Sequence, residues 1–319
     1  PLDGEDTTST AIARRPLAVM IENSPKARPQ SGLLQACRVY EGITEGGITR
    51  FLAIFLHGDP TVIGPVRSAR PHFIYLAEEY SPVYVHCGES YEALQVLTTE
   101  PGLRDLDQLK YEKPFWRDHS RLAPHNLYTS TERLRKFMVK QEWEGQAEQL
   151  PLMSFGGKVE GGIPTPIITV NFGGAVRYKL RFEYDTALGA YRRYMDGKLH
   201  ADRETGQPIL VKNIIIQHVV SQKFADDKLG TYDVRVMGAG VGEFLTMGQR
   251  MPLKWQKDSL VGVTAYTDEI GRPLPYQVGQ TWVELIPEDG TVTFEQPKPP
   301  TPPATGTPSA GHRAVPRGR

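Results

Sequence analysis

Apolar residues change their spacing near residue 150, and each spacing is expected of a different arrangement of regular structure. Upstream, short apolar runs alternate with segments of helical spacing. "PLAVMIEN" (Pro16 to Asn23) reads as a buried strand that ends in a turn signal. "SGLLQACRVYEG" follows, with Ser31 as a helix start and apolar residues at helical intervals. "GITRFLAIFL" is the next strand, "RPHFIYLAEEYSPVYVHCG" a helix and then a strand, and "SYEALQVLTTE" and "STERLRKFMVKQEWE" are helices. In the last, Leu134, Phe137 and Met138 share one side. Downstream of "SFGGKVEGGIPTP" the period becomes two. In "VRYKLRFEYD", Arg177, Lys179 and Arg181 alternate with Tyr178, Leu180, Phe182 and Tyr184. "LVKNIIIQHVV", "TYDVRVMG", "GEFLTMG", "QRMPLKWQK" and "TWVELIP" continue as short strands between turn segments.

The fold class expected is therefore α+β, an N-terminal α/β sandwich domain followed by a mostly antiparallel β domain. The boundaries drawn are 1–13 for a flexible leader, 14–150 and 151–290 for the two domains, and 291–319 for a disordered tail. The tail follows from "PKPPTPPATGTPSAGHRAVPRGR", too poor in apolar side chains to form a core. Pro1 in place of an initiator Met is expected of a processed chain.

Charge excludes some partners. The 319 residues carry 37 Lys and Arg against 37 Asp and Glu, so no global field favours nucleic acid. No apolar run approaches the roughly 20 residues of a membrane-spanning helix. Cys37 and Cys87 are either a disulfide or two isolated thiols, and spacing leaves both open. Phosphate-loop, nucleophile-elbow and H-E-x-x-H motifs are absent from the sequence. Gly238, Gly240 and Gly242 lack the spacing of a dinucleotide fingerprint and read as turns.

Chemistry concentrates between Glu45 and Pro71. Arg50 opens a strand that becomes buried, and a cation there needs a carboxylate, a carbonyl cluster or a bound anion. Glu41 and Glu45 are the nearby carboxylates. In "GPVRSARP", Arg67 and Arg70 flank a predicted helix start and offer bidentate donors for phosphate or carboxylate. An anion pocket and an internal Arg–Glu network use the same parts, so both readings stand. His86 ends a strand, where open α/β sheets place ligands. It and Glu45 are the acid–base candidates, and a histidine bonded to a loop carbonyl is the structural alternative for His86. "FWRDHSRLAPHNLYTS" adds Arg117, His119, His125 and Asn126 as rim residues. The six-residue gap between His119 and His125 fits no compact metal motif, so no metal is expected.

The stretches "KARPQSGL", "VYEGITEGGITRFLAIF", "IGPVRSARPHFIYLAEEYSPVYVHCG" and "PHNLYTS" resemble the YerB-like lipoproteins, domain of unknown function 3048. "FEYDTALGAYRRYMDGKLHADRETGQPILVKNIIIQHV" and "GQTWVELIP" resemble that family's C-terminal domain. The resemblance covers roughly Pro16 to Pro287. It implies a bacterial, extracytoplasmic, lipid-anchored protein and no particular activity. Cys37 replaces a commonly acidic residue and Cys87 a commonly small one. The order of the arginine-bearing strand, "GPVRSAR", helix and strand also resembles the LytR-CpsA-Psr cell-wall phosphotransferases. These hold lipid pyrophosphate with arginines and attach glycopolymers to peptidoglycan.

Three expectations follow. The first is a protein that binds an anionic or polar small molecule or a cell-wall glycopolymer through an arginine-lined cleft, without a cofactor. The second is a phosphotransferase-like enzyme on lipid-linked pyrophosphate, the one case that admits a divalent ion. The third is a structural lipoprotein in which the arginines are internal salt bridges.

Overall fold

A computed structural model describes residues 2–100, 102–148, 150–173, 178–224 and 230–296. Four helices are present among them: α1 (Ser9–Ile12), α2 (Pro71–Ala77), α3 (Tyr91–Thr99) and α4 (Thr131–Lys140). Ser90 and Ser130 cap α3 and α4, their hydroxyls accepting from the amides of Ala93 and Arg133 at 3.2 Å. The N-terminal strands are β1 (Leu17–Glu22), β2 (Arg38–Ile43), β3 (Thr49–Phe55), β4 (Val83–His86) and β5 (Arg104–Asp107). Those that follow and organise the sheets are β6 (Ile167–Asn171), β7 (Leu180–Asp185), β8 (Ala190–Met195), β9 (Asn213–Lys223), β10 (Gly238–Thr246), β11 (Gln249–Lys257), β12 (Ala265–Thr267), β13 (Thr281–Pro287) and β14 (Thr291–Glu295).

The class is α+β, and strands dominate it. The twelve-stranded main sheet runs β12-β11-β10-β9-β13-β2-β3-β1-β4-β5, with two short strands at its flanks. The boundary near residue 150 does not interrupt it. Strand β13 lies parallel to β2, Glu284 opposite Glu41, and parallel to β9 on its other side. The two changes of texture are thus two ends of one hydrogen-bonded layer. A six-stranded antiparallel sheet containing β8-β7-β6-β14 covers one face of that layer. Helix α2 covers the other, where His72 and Phe73 come within 4 Å of a Cβ built on Gly42. All residues of β1, β2 and β3 are buried, as a sheet covered on both faces requires.

A buried polar knot holds the two sheets together. Arg193 of β8 donates to Glu41 of β2, and its other terminal nitrogen donates to His200 Nδ1 at 2.8 Å. Glu41 also accepts from Thr49 Oγ1 at 2.5 Å, Asn23 Nδ2 at 3.0 Å and the Tyr178 hydroxyl. His200 Nε2 donates to Gln30 Oε1 at 2.9 Å. Burial, and the Glu41 charge beside it, push the Glu284 carboxyl far up, so it stays protonated against its neighbour.

Several expectations are corrected by this arrangement. "SGLLQACRVYEG" yields only a 3-10 turn at Leu33–Gln35, after which Arg38–Ile43 is a strand. Pairing on both sides by β3 and β13 outweighs the helical spacing. The glycines from Gly238 to Gly242 lie inside β10; a Cβ on Gly240 would stand 2.6 Å from the Trp255 indole nitrogen. Part of the expected flexible leader packs on the fold: Leu2 and Asp3 are buried, and Asp3 Oδ2 bonds His57 Nε2 at 2.7 Å. The expected tail begins too early, because Thr291–Glu295 pairs with β6. Arg177 and the proline-rich segment from residue 297 lie outside the described residues.

Candidate functional site

Strands β1, β4 and β5 run parallel, so Glu22, His86 and Asp107 end on the same edge of the sheet. Strand β3 runs the other way and begins there, with Arg50 opposite Glu22. The loop through Arg67 crosses this edge: its amide donates to Met20 O at 3.0 Å and its carbonyl accepts from the Cys87 amide at 3.1 Å. Open sheets receive ligands at this kind of edge. The fold therefore gathers Glu45, Arg50, Arg67, Arg70, His86 and His125 into one region.

It does not leave them equally free. Arg50 and Arg70 are buried and converge on Glu45. Arg50 Nη2 donates to Glu45 Oε1 at 2.9 Å and Nη1 to Ser68 O at 2.7 Å. Arg70 Nε donates to Glu45 Oε2 at 2.9 Å and Nη1 to Ala69 O at 2.5 Å. Burial alone would raise the Glu45 pKa, but the two guanidinium groups outweigh it and hold the carboxyl at about 2. A carboxylate so acidic cannot serve as a general acid near neutrality. Burial first, then Arg70 and Arg50, bring His72 down to about 3, so this buried ring stays neutral.

His86 is equally committed. Its Nε2 lies 2.5 Å from Asp105 Oδ1 and its Nδ1 2.9 Å from Gly88 O. A carbonyl engages one ring nitrogen and a carboxylate the other, so neither nitrogen faces an open position. The same geometry bears on metal binding. His86, Glu89 and Asp107 offer ligand atoms within 4.8 Å of one another, but the His86 Nδ1 proton is taken by Gly88. Asp3, Cys37 and His57 form a second such group, in which burial, then Asp3, push the Cys37 thiol pKa up and keep its proton. Cys37 and Cys87 are free thiols.

Arg67 differs from its neighbours. It is partly exposed, and its guanidinium makes no hydrogen bond among the described residues; Nε stands 3.8 Å from Glu22 Oε1. Glu22 is 1 % exposed. Its Oε1 accepts from Ser24 Oγ and His125 Nδ1, both at 2.8 Å, and its Oε2 has no partner. His125 is thereby oriented by a buried carboxylate, with Nε2 making no hydrogen bond among the described residues. In the adjoining loop Arg117 is exposed and donates to Asn126 Oδ1 at 2.9 Å; Asn126 is buried and donates to Arg121 O at 3.2 Å. Both therefore brace the loop. His119 is exposed and joins none of these contacts. Sequence reasoning missed Glu22, whose signal was an acidic residue closing an otherwise apolar run.

None of the five cavities described is lined by Arg50, Arg67 or Arg70. The largest described, about 670 Å³, is lined by Arg14, Asp59, Arg135 and Met138 beside α4. No helix among the described residues is long and apolar enough to cross a membrane.

Residues 2–144 match the family model described as "Protein of unknown function (DUF3048) N-terminal domain", and residues 168–283 match its C-terminal companion. The chain is 34% identical over 291 residues to the Bacillus subtilis protein described as "Putative lipoprotein YerB", covering 90% of this chain and 86% of that protein. The crystal structure of YerB from Bacillus subtilis superposes with a TM-score of 0.82 at 32% identity, covering 92% of this chain and 98% of that one.

Proposed function

The chain belongs to the DUF3048 family, and from that premise we propose that it is an extracytoplasmic lipoprotein that binds an anionic or polar ligand of the cell envelope at the Arg67 edge. A lipid anchor would hold it at the membrane, as the description of its Bacillus subtilis relative suggests for that protein. One observation carries the ligand: of the three arginines at the edge, Arg67 alone has a guanidinium without hydrogen bonds among the described residues, beside a buried carboxylate that holds His125. Arg50 and Arg70 form the rigid floor behind it. A planar guanidinium with free donors suits phosphate or carboxylate. The ligand classes that fit are a small phosphorylated molecule and an anionic cell-wall glycopolymer.

The test is isothermal titration with inorganic pyrophosphate and with purified cell-wall glycopolymer fragments. Wild type is expected to bind at least one of them saturably, with Arg67→Ala weakening it at least tenfold and Arg181→Ala leaving it unchanged. Equal binding by Arg67→Ala and wild type overturns the site.

A second reading, transfer of a phosphoryl-linked glycopolymer, draws on the Glu22–His125 pair. A carboxylate on Nδ1 fixes the tautomer and leaves Nε2 to take a proton, the arrangement used in acid–base catalysis. This reading replaces Glu45 and His86 with His125 as the base, and it is the one in which a divalent ion would take part. Turnover of a lipid-linked pyrophosphate that survives His125→Ala would remove it.

A further inference from the structure

Arg38, the first residue of β2, is 2 % exposed and lies at the far end of the sheet from the Arg67 edge. No carboxylate among the described residues stands within ion-pair distance of it. Its guanidinium reaches the Tyr80 hydroxyl at 3.2 Å, the Tyr40 hydroxyl at 3.5 Å and the Met153 sulfur at 2.9 Å, and its Nε has no partner. A thioether is a weak acceptor and a contact of 3.5 Å is marginal. Burial raises the pKa of Tyr40 and Tyr80, so these phenols are neutral and supply no counter-charge. The rings of Tyr40 and Tyr276 lie 6.0 and 5.8 Å from the guanidinium carbon, at the outer limit of cation–π attraction. Glu79, a buried carboxylate of the same region that feels the Arg38 charge, is out of contact with it and is held by Thr264 Oγ1 at 2.5 Å and Lys257 Nζ at 3.3 Å. A desolvated cation with no carboxylate in contact is costly, and such a group calls for an explanation.

Beside Arg38 is a cavity of about 450 Å³, within the range of small-molecule sites. Arg38 forms part of its wall with Tyr266, Tyr276, Leu274, Met153 and Thr264. The segment carrying Met153 is partly open to water, Leu152 being fully exposed. It is pinned just beyond by Ser154–Phe155, which pairs with Pro275–Tyr276.

We propose that this cavity binds a small carboxylate carried on an apolar body, the carboxylate replacing the Met153 sulfur on the Arg38 fork. The apolar and aromatic wall holds the body, and the fork supplies charge and direction. This site is independent of the Arg67 edge, and its chemistry differs, since a bare phosphate would leave the apolar wall unused.

Octanoate and its neutral counterpart octanamide are the probes, titrated calorimetrically into the full chain. Wild type is expected to bind octanoate at least tenfold more tightly than octanamide. Met153→Ala, which clears the fork, should tighten octanoate several-fold. Arg38→Met should abolish the preference for the charged probe. Equal affinity for the two probes in wild type and in Met153→Ala overturns the proposal, as does displacement of octanoate by an equal concentration of inorganic phosphate. If Arg38→Met does not fold, the comparison of wild type with Met153→Ala decides the matter.

Discussion

Arg38 and Arg50 lie on the same face of the antiparallel pair β2 and β3, at its opposite ends, and both are buried. At the Arg50 end two guanidinium groups share Glu45, and main-chain carbonyls take further donors. At the Arg38 end the partners are two phenols and a sulfur, with a cavity alongside. Clustering of arginines in the sequence pointed to the first end. Counting counter-ions among the described residues points to the second, and counting hydrogen bonds points to Arg67 beside the first. A buried cation whose charge is already matched is architecture, and one left unmatched is an open valence.

Removing the shared carboxylate should have the largest effect. Glu45→Gln leaves Arg50 and Arg70 buried without a carboxylate and should cost about 3 kcal/mol, read by urea denaturation at pH 7. Because the folded pKa of Glu45 is about 2, below its ordinary value, its contribution is complete above about pH 4.5 and fades as pH falls toward 2. The variant should lose that part of the acid dependence. A cost under about 0.5 kcal/mol would erase the contrast between the two ends.

Next comes Glu78, which precedes Glu79 in the chain. Burial raises its pKa to about 7, and its Oε1 has no partner. The sign is opposite to that of Glu45: its stabilising protonated state is complete below about pH 4.5, and that stability is lost as pH rises through 7. Glu78→Gln should therefore gain about 2 kcal/mol over wild type at pH 8 and little at pH 4, seen in melting curves at the two values.

Arg38→Met sharpens the comparison directly. Replacing an unmatched buried cation with an apolar side chain of similar length should leave the ligand-free protein unchanged or more stable by about 1 kcal/mol. A clear loss would mean that the phenols and sulfur already satisfy it. The smallest change is expected for Arg67→Ala, within about 0.5 kcal/mol, since a partly exposed guanidinium 3.8 Å from its carboxylate contributes little to stability. Its effect belongs in binding.

Much of the fold was legible because local chemistry and burial agree. The apolar run Leu17–Glu22, the capped helices at Tyr91 and Thr131, and the alternation of Leu180 and Phe182 all became the elements expected. The misreadings share a cause: pairing and packing partners outside the local stretch, near or far in sequence. Residues Arg38–Ile43 became a strand through β13, some 240 residues downstream. Gly238 to Gly242 became a strand because Trp255 packs where side chains would be. For the candidate site, the sequence grouped Arg50, Arg67 and Arg70 but could not separate Arg67 from the two that share Glu45.

What the sequence by itself determined is the apolar strand at Leu17–Glu22, the alternating strand at Leu180–Asp185, the two capped helices, and that cations stand among apolar residues. These follow from side-chain period and from local hydrogen bonds within a few positions. What only the tertiary structure decided is that both halves share one sheet and which guanidinium has a counter-ion. Neutralising a buried charge depends on approach within about 4 Å in space. In this chain the approach is made by residues such as Glu45 and Arg70, 25 positions apart, or by no carboxylate among the described residues at Arg38.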